Sequence, residues 1–437
     1  MYWNTACLTI EAKADEDSKG NIDYGKIAKA IYKMQKFGIK VLPPDINKSG
    51  IEFTPNEETN SILFGLGGIS GINIDIARQI IANRPYNNFR DFYEKNCKAN
   101  YENTLITKSK FIMLIKAGCF DETDDRIGAM KWLIVLENPA KTSLNGQNLP
   151  SVIEVGVNLD TEKVRMYRFK KYVVSKNFFY CADPKFKSKK HYLLEPTYAL
   201  PYFEEKFMDK LKEGQDYYYT AGGTVVVDKS LEKAIAPYLN DLKEDLTRTE
   251  VINEYNQKLW GKIYSETIGE ENLNKWIFDA VSFYPNGNHE LKDVNEKEYN
   301  IDHFTDLSED PKFVEKSFGS RTWKEYELSR ICGTVLDKKD NGHFITVLTN
   351  DNEVVHVKFN KNQYAYYKQS IKYDGVSDDG YFKRGTLLLI TGYRRGDDEF
   401  VAKNYKSSIY DHTCMRVIDV RQDGSLELQM ERLLEED

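Results

Sequence analysis

Glycines between Gly65 and Gly71 form the part of the sequence best suited to binding a phosphate group. Four glycines stand here, at positions 65, 67, 68 and 71, directly before a segment whose apolar residues keep the spacing of an amphipathic helix. Asn73 or Asp75 is in place to cap the start of that helix. The pattern predicts a glycine-rich turn followed by a helix that reaches Ile81.

Three interpretations of this turn compete. A dinucleotide-binding fingerprint would need its third glycine where the sequence has Ser70, and a βαβ unit around it. A plain turn or helix end would need glycine only for a positive φ. A hairpin of the helix-hairpin-helix kind would use Ile69–Asn73 as its turn and leave backbone N–H groups beside a helix N-terminus, which suits a nucleic-acid phosphate. The neighbouring motifs favour this hairpin.

Nucleotidyl transfer would require paired carboxylates that hold two metal ions. The acidic runs at 15–17, 124–125, 378–379 and 397–398 all stand among glycines, serines or other charges. We expect each run to be solvated, so the sequence predicts no catalytic residue and no metal ligand in this chain. The six cysteines and six histidines are scattered, without a C-x-x-C pair or two histidines at i, i+4.

Composition is that of an ordinary soluble protein. The 437 residues are enough for about three domains, and 41% of them are hydrophobic and 30% charged. We find no apolar run near the about 20 residues that span a bilayer and no secretory signal, so we expect no membrane partner. Scattered cysteines favour a cytoplasmic, reducing setting. The net charge of −7 argues against a protein that coats nucleic acid but allows local basic surfaces.

Hydrophobic periodicity predicts the elements that position these residues. Helices are predicted over 1–10, 22–37, 231–246 and 250–263, with Pro237 interrupting the third, and short strands over 39–42, 51–54 and 61–64. Residues 163–192 interleave lysines and arginines with aromatic residues, and alternation around Val164–Val174 predicts a strand or hairpin with one basic face. Such a face would suit a nucleic-acid backbone, or equally be a solvated surface.

Residues 327–406 carry the pattern of an OB-fold. Five alternating strands are predicted over 329–336, 344–349, 353–359, 386–393 and 399–404, with a helix over 361–371 between the third and fourth. Arg384, Arg394, Arg395 and Lys403 are candidate phosphate contacts, with solvated hairpin residues as an equal alternative. The remaining residues predict another hairpin and an acidic tail.

Four motifs, in order, resemble the catalytic alpha subunit of bacterial DNA polymerase III, a family C DNA polymerase. They are MQKFGIKVLPPDINKSGIEFTP at 34–55, ILFGLGGISGI at 62–72 with YNNFRDFYEKN at 86–96, KSKFIMLIKAGCFD at 108–121, and WIFDAVSFYPNGNHEL at 276–291. In the last motif Ser282 replaces a glycine and Glu290 a proline. The segment GTLLLITGYRRGDDEFVAKNY at 385–405 resembles the family's nucleic-acid-binding OB module.

The resemblance implies a multidomain α+β chain with helical fingers, a helix-hairpin-helix region, an α+β insert and a C-terminal five-stranded OB-fold β-barrel. The implied segments are 1–64 for the C-terminal part of the fingers, 65–138 for the helix-hairpin-helix region, 139–261 for an insert of unknown role, 262–326 for a connector, 327–408 for the OB-fold and 409–437 for the hairpin and tail.

The palm is missing from this resemblance. The family's catalytic aspartates, most of its triphosphate-binding residues and its histidine-rich domain lie before the helix with which this sequence begins. We therefore expect the C-terminal subunit or fragment of a split phage replicative polymerase that is inactive alone. A separate N-terminal chain would bind Mg²⁺ in its palm, this chain would bind no cofactor, and the apolar segment Tyr2–Ile10 would form the seam between them. The alternatives are a non-catalytic DNA-binding accessory protein and a gene fragment.

The resemblance also implies which residues meet partners. Contacts to primer–template DNA would come from the hairpin and the helices beside it, namely Gly68, Ser70, Gly71, Asn73, Arg78, Lys108 and Lys110. A short glutamine-led motif docks the sliding clamp near the corresponding place in the family. Gln257, Leu259 and Trp260 are the candidates here, and a buried leucine and tryptophan on a helix are the favoured alternative.

Overall fold

The computed structural model describes residues 2–12, 24–100, 102–175, 192–219, 223, 225–228, 230–269, 271–284, 290–373, 376–430 and 432. They belong to two compact units, one of Met1–Met130 with Glu271–Asp437 and one of Lys131–Glu270. The six segments predicted from the sequence are a finer division and stay predictions. The charged loop at 13–21, the basic residues at 176–190, the matched Asn288 and His289 and the acidic residues 435–437 lie outside the described residues.

The first unit begins with two helices, a small sheet and a run of short helices. Their bounds are α1 (Tyr2–Ala12), α2 (Tyr24–Lys36), β1 (Lys40–Leu42), β2 (Thr54–Asn56), β3 (Ser61–Leu63), α3 (Ile74–Ala82), α4 (Phe89–Asn96), α5 (Lys108–Lys116) and α6 (Arg126–Glu137), which enters the second unit. β3 pairs in parallel with β1 and antiparallel with β2. The two predicted N-terminal helices and the predicted strands over 39–42 and 61–64 are confirmed, while the strand predicted over 51–54 lies at Thr54–Asn56.

The second unit is an α+β structure. Its elements are α7 (Leu149–Glu154), α8 (Thr161–Tyr172), β4 (Val173–Ser175), β5 (Tyr192–Leu194), α9 (Ala199–Phe207), β6 (Tyr217–Tyr219), β7 (Val225–Val227), α10 (Ser230–Asp245) and α11 (Thr249–Ile268). The strands form an antiparallel sheet in the order β4-β5-β7-β6. Pro237 lies inside α10, so the predicted interruption of that helix is wrong.

The predicted strand around Val164–Val174 is also wrong, because this stretch is mostly helix α8. The Asp160 carboxylate caps α8 by accepting a hydrogen bond from the Lys163 amide at 2.9 Å. Met166 and Phe169, three residues apart, point into the core of the unit, and Arg168 between them is exposed. In so short a segment the apolar residues fit both periods, and packing selects the helix.

The rest of the first unit is rich in strands. Its elements are α12 (Leu273–Val281), α13 (Glu296–Tyr299), β8 (Phe313–Phe318), β9 (Arg321–Tyr326), β10 (Ser329–Lys339), β11 (Phe344–Thr349), β12 (Val354–Lys358), α14 (Lys361–Lys368), β13 (Ile371–Tyr373), β14 (Val376–Asp378), β15 (Leu387–Arg394), β16 (Glu399–Ala402), β17 (Cys414–Val420) and β18 (Leu426–Gln429). Among the described strands, β8 and β9 pair only with each other and form a separate ribbon.

Five of these strands close into a barrel. The order is β10-β11-β12-β16-β15, and β15 pairs back onto β10. β12 and β16 are parallel while the other neighbours are antiparallel, and α14 follows the third strand. This arrangement is the predicted five-stranded OB-fold. Its interior is filled by inward-facing side chains from all five strands, including Ile331, Val347, Val357, Leu388 and Phe400. β17 and β18 extend the sheet beside β15 and confirm the predicted last hairpin.

Helix α2 packs directly against the outside of the barrel. Ala28 and Tyr32 of α2 share a buried cluster with Leu348 and Val354 of the barrel. Two ion pairs flank this contact, Lys29 with Asp398 and Lys36 with Glu353. The hydrogen bond from Lys29 lowers the pKa of Asp398 below its ordinary value. Helix α2 thus covers one end of the outer face formed by β11 and β12, the second and third strands of the barrel.

Within the described residues, none of the helices combines the length and apolar character that crossing a membrane requires.

Ser282 ends α12 in a strained conformation. Its φ is +61°, in the left-handed region where a β-carbon is costly. The side chain is buried, and its hydroxyl has no hydrogen-bond partner among the described residues. The polymerase motif that this segment resembles has glycine here, and the backbone conformation gives the physical reason.

We expect Ser282→Gly to raise the free energy of unfolding by about 1 kcal/mol, because left-handed strain costs about 1–2 kcal/mol and the added freedom of the unfolded chain removes part of the gain. Chemical denaturation measures this free energy, from the transition in which the first unit unfolds. Asn300→Gly is the control, since Asn300 also has a positive φ of +50° but is exposed, and asparagine tolerates this region better. A Ser282→Gly protein no more stable than the parent would contradict the account.

Candidate nucleic-acid interface

Close backbone packing explains the first glycines of the cluster. The chain from Gly65 to Gly67 runs beside residues 50–52, and the Leu66 and Gly67 amides donate to the carbonyls of Gly50 and Ile51 at 2.9 Å. A β-carbon at Gly65 would lie 2.5 Å from the carbonyl carbon of Glu52, and one at Gly68 would lie 2.7 Å from the Phe64 ring. Gly68 is buried and its amide donates to the Gly65 carbonyl. Close packing against Phe64 therefore explains why position 68 is a glycine.

The turn that follows is tied to the protein at its apolar residues and open at Gly71. Ile69 and Ile72 are buried, and the Ile72 amide donates to the Ile69 carbonyl at 2.9 Å. The Ser70 amide donates to the carbonyl of Ala280 in α12 at 2.8 Å. Gly71 is exposed with a φ of +77°, which glycine adopts without strain. The turn thus projects Gly71 from a fixed base.

The start of α3 offers several backbone donors. The Asn73 side chain caps the helix by accepting from the Ile76 amide at 2.9 Å. Among the described residues, no acceptor receives the amides of Gly71, Asn73, Ile74 and Asp75. Unpaired N–H groups at a helix N-terminus carry partial positive charge and bind anions. This is the geometry that the hairpin interpretation requires.

A lysine from the next helix lies over the same turn. Lys110, in the first turn of α5, places its ammonium 2.7 Å from the position that a β-carbon at Gly71 would take. Neither Lys110 nor Lys108 forms an ion pair within the described part of the chain. The side chain of Arg78, by contrast, is exposed and pairs with Asp75 at 3.3 Å. The Lys110 ammonium of α5 therefore lies beside the turn whose amides are unpaired in the described residues.

Packing fixes α5 relative to the turn. Phe111 of α5 contacts Phe89 and Phe92 of α4, with ring centroids 6.3 Å and 5.7 Å apart. Lys116, at the end of α5, pairs with Asp279 of α12 at 3.1 Å. No spacing signal in the sequence could have predicted that Lys110 lies beside Gly71.

The end of α12 connects this region to the barrel. Arg384, in the loop before β15, donates to the carbonyls of Phe278 and Asp279 at 3.2 and 2.7 Å. The next carbonyl, that of Ala280, accepts from Ser70. The Phe278 carbonyl also accepts from the Ser282 amide at 2.8 Å, whereas the carbonyls of Asp279 and Ala280 belong to those that a helix end leaves without intrahelical donors. Arg384 thus joins the barrel to α12.

The other predicted cations of the OB-fold differ in how free they are. Arg394 donates to the carbonyls of Phe304, Leu307, Gly396 and Asp397 and to the Glu309 carboxylate, so its guanidinium is committed within the protein. Arg395 is exposed and pairs with Glu399. Lys403 is exposed, lies 5.7 Å from the centre of the Tyr405 ring, and has no ion-pair partner among the described residues. Lys403 is the least engaged of the four.

A row of outward side chains across the barrel was not singled out from the sequence. Phe344, Lys358, Val401 and Tyr393 stand at matched positions of β11, β12, β16 and β15, so their side chains share the outer face. Tyr326 of the ribbon stacks on Tyr393, with centroids 4.2 Å apart and planes 19° apart. Alternation within each strand marks these positions as outward, but their alignment depends on the pairing register.

The candidate clamp segment lies in the middle of α11 in the second unit. Gln257 is exposed, whereas Leu259 is half-buried against the core of the unit. The Trp260 indole donates to the carbonyl of Asn138 at 2.7 Å. Asn256 is buried and bonds both backbone groups of Lys141. Clamp binding by this segment stays a prediction.

Two of the acidic runs differ from the expectation that they are solvated. Asp378 is buried and accepts from the buried Arg432 guanidinium at 2.7 Å, and Asp398 pairs with Lys29. Asp124 accepts from the Phe89 amide at 2.8 Å. Within the described ranges, no three histidine, cysteine, aspartate or glutamate side chains come together in a way that would hold a metal ion. These described carboxylates organise the fold.

Comparison with known proteins agrees with this geometry. The family model described as "Helix-hairpin-helix motif" matches residues 38–127, which contain the turn, α3 and α5. The chain is 36% identical over 452 aligned residues to the probable DNA polymerase YorL of Bacillus subtilis (strain 168) and, equally, to the DNA-directed DNA polymerase of Bacillus phage SPbeta. The alignment covers 99% of this chain and 33% of either relative, so the chain spans about a third of their length.

A more distant relative is the DNA polymerase III subunit alpha of Chlamydia pneumoniae, which is 35% identical over 123 residues, or 27% of this chain and 9% of that protein. These matches agree with the helix-hairpin-helix region and the closed barrel. They confirm the resemblance predicted from the sequence: the chain is similar to the C-terminal part of the DNA polymerase III alpha subunit.

Proposed function

We propose that this chain is the DNA-gripping C-terminal part of a replicative DNA polymerase, and that it holds the backbone of primer–template duplex at the hairpin turn. The observation that carries the proposal is the convergence of the unpaired amides around Gly71 with the Lys110 ammonium. Backbone amides and an ammonium recognise a phosphate without distinguishing bases. A replicative polymerase needs this kind of contact because it must move along any sequence.

The local charge supports this use of the turn despite the net charge of −7. Lys108 and Lys110 are free of ion pairs in the described residues, whereas Lys48 pairs with Glu122 and Asp45. Affinity for a backbone comes from the cations that remain available to release counterions from DNA. The two lysines at the start of α5 meet this requirement.

DNA synthesis by this protein would depend on a second chain. We propose that a separate N-terminal chain provides the palm and its Mg²⁺ ions, because the described acidic runs of this chain are taken up by Arg432, Lys29 and backbone amides. Helix α1 offers a surface for that chain. Tyr2, Trp3 and Ile10 are exposed, Trp3 to 79%, while Leu8 on the opposite side is buried. Exposed apolar groups of this size on one helix suit a protein interface.

The first test adds negative charge at the turn. We expect Gly71→Glu to weaken binding of a labelled primer–template duplex at least about tenfold, because it places bulk and a carboxylate where the phosphate would lie. Asn73→Asp is the companion variant, since aspartate keeps the helix cap but adds a charge; it should weaken binding in the same direction. Fluorescence anisotropy at several salt concentrations measures both.

The companion variant also controls for folding, because Gly71→Glu forces a side chain at positive φ while Asn73→Asp leaves the backbone unchanged. Thermal unfolding of both proteins identifies any loss of structure. Unchanged duplex affinity in a folded Asn73→Asp protein, together with unchanged affinity in Gly71→Glu, would refute the phosphate site.

The second test removes the cation. We expect Lys110→Gln to lower duplex affinity roughly fivefold at moderate salt and to reduce the slope of log affinity against log salt by about one, as the loss of one phosphate contact predicts. Lys48→Gln is the matched control, because Lys48 is an exposed lysine already neutralised by Glu122. Equal salt slopes for the two variants would exclude Lys110 from the interface.

The third test concerns catalysis. We expect no primer extension with magnesium by this chain alone, and extension when it is combined with a chain that supplies the part of the SPbeta-type polymerase lying before the matched segment. Synthesis by this chain alone would disprove the assignment of the palm to a partner. Duplex binding without synthesis in either mixture would favour a non-catalytic accessory protein.

A further inference from the structure

The ribbon of β8 and β9 is the most exposed structured element of the described chain. Every residue from Phe313 to Lys324 is exposed. The two strands pair over six residues each and with no other strand. A two-stranded ribbon of this kind is at best marginally stable alone, so its shape depends on its attachment.

The ribbon is attached to the barrel at its base, both before β8 and at the end of β9. Arg394 binds Glu309, just before β8, at 3.1 Å. At the end of β9, Tyr326 stacks on Tyr393, and the Tyr326 amide donates to the Tyr405 hydroxyl at 3.1 Å. The Glu327 amide closes the base by donating to the Lys312 carbonyl at 2.8 Å. The ribbon therefore projects in a defined direction from the outer row of the barrel.

One face of the ribbon carries alternating aromatic and cationic side chains. The register pairs Phe318 with Arg321 at the tip and Lys316 with Trp323 one step below. Cross-strand partners share a face, so these four side chains lie together. Phe318 is 83% exposed and Trp323 44% exposed, and Arg321 forms no ion pair among the described residues. Large aromatic groups left in water are a cost that a ligand would remove.

The opposite face is used for attachment. Phe313 and Tyr326 pair across the strands on this side, and Tyr326 leads to Tyr393, Lys358 and Phe344 in the barrel row. The Lys324 ammonium lies 4.0 Å from the centre of the Phe313 ring. The face opposite the aromatic tip is thus the one that connects the ribbon to the outer row of the barrel.

We propose that the ribbon binds single-stranded DNA, with bases stacked on Phe318 and Trp323 and the backbone beside Arg321. Exposed aromatic rings interleaved with cations are how proteins hold single strands without sequence preference. On this face Arg321 provides a cation without an ion-pair partner in the described part of the chain, whereas Lys316 pairs with Glu325. The base of the ribbon is joined to Tyr393 of the barrel through Tyr326. The inference rests on the proposed function as a DNA-binding polymerase part, and it adds a single-strand site separate from the duplex site at Gly71.

The test measures the affinity of the full chain for a labelled oligothymidylate of about 16 nucleotides, enough for one OB-fold. We expect Phe318→Ala and Trp323→Ala each to weaken binding about tenfold. The salt slope should not change, because stacking releases no counterions. Arg321→Ala should weaken binding and lower the slope by about one. Val314→Ala is the matched control, being an exposed apolar residue on the same face without a ring.

The conservative variant Phe318→Trp should retain affinity, since it keeps an aromatic surface. All these residues are exposed, so thermal unfolding should be unchanged and loss of fold is separable from loss of binding. Single-strand affinities of Phe318→Ala and Trp323→Ala equal to that of Val314→Ala would overturn the proposal, as would failure of the parent chain to bind the oligonucleotide.

Duplex binding measured in parallel separates the two sites. The ribbon variants should leave blunt-duplex affinity unchanged, whereas Lys110→Gln should weaken the duplex and spare the single strand. If the ribbon variants behave like the parent while Lys110→Gln fails on duplex, only the ribbon assignment falls. If Lys110→Gln and Gly71→Glu bind duplex normally while the ribbon variants lose single-strand binding, only the duplex site falls.

Discussion

The carbonyls at the end of α12 are the constraint on which the first unit depends. A helix end leaves carbonyls that must find donors when they are buried. Here Arg384 from the barrel donates to the Asp279 carbonyl, and also to the Phe278 carbonyl, which the Ser282 amide already satisfies; Ser70 from the turn donates to the Ala280 carbonyl. The barrel and the hairpin therefore meet at three consecutive backbone groups. Lys116 strengthens the arrangement by binding the Asp279 side chain.

The cationic residues of this unit have two different roles. The guanidinium groups of Arg384 and Arg394 donate to backbone carbonyls, and these bonds orient α12 and the segment before the ribbon. Lys110 and Lys403 keep their ammonium groups free. Arginine suits the first task because its planar fork reaches several acceptors at once. Lysine suits the second because a flexible, hydrated point charge can follow a backbone without fixed geometry.

Local patterns in the sequence were sufficient for much of the fold. The helix after Gly71, the cap at Asn73 and the five barrel strands depend on periodicity and turn residues within short windows. The stretch around Val164 failed because its apolar residues fit two periods, and burial of Met166 and Phe169 selected the helix. The burial of Asp378 was equally invisible, since its partner Arg432 lies 54 residues away.

The candidate site was predictable only as a turn. That Gly71 would be exposed follows from its neighbours, but the approach of Lys110 and the diversion of Arg384 and Arg394 into the protein interior depend on contacts between distant segments. The ribbon shows the same limit, because its aromatic residues acquire a common face only through the strand register.

The bond from Ser70 to Ala280 also bears on how this region can be inherited. The family match covers residues 38–127, yet the turn within it relies on a helix encoded much later, and Lys116 reaches a partner 163 residues further along the chain. Recombination that exchanged only the matched region would separate the turn from its acceptor. The hairpin and α12 are therefore expected to be exchanged between polymerases as a pair, with the intervening second unit free to vary between them.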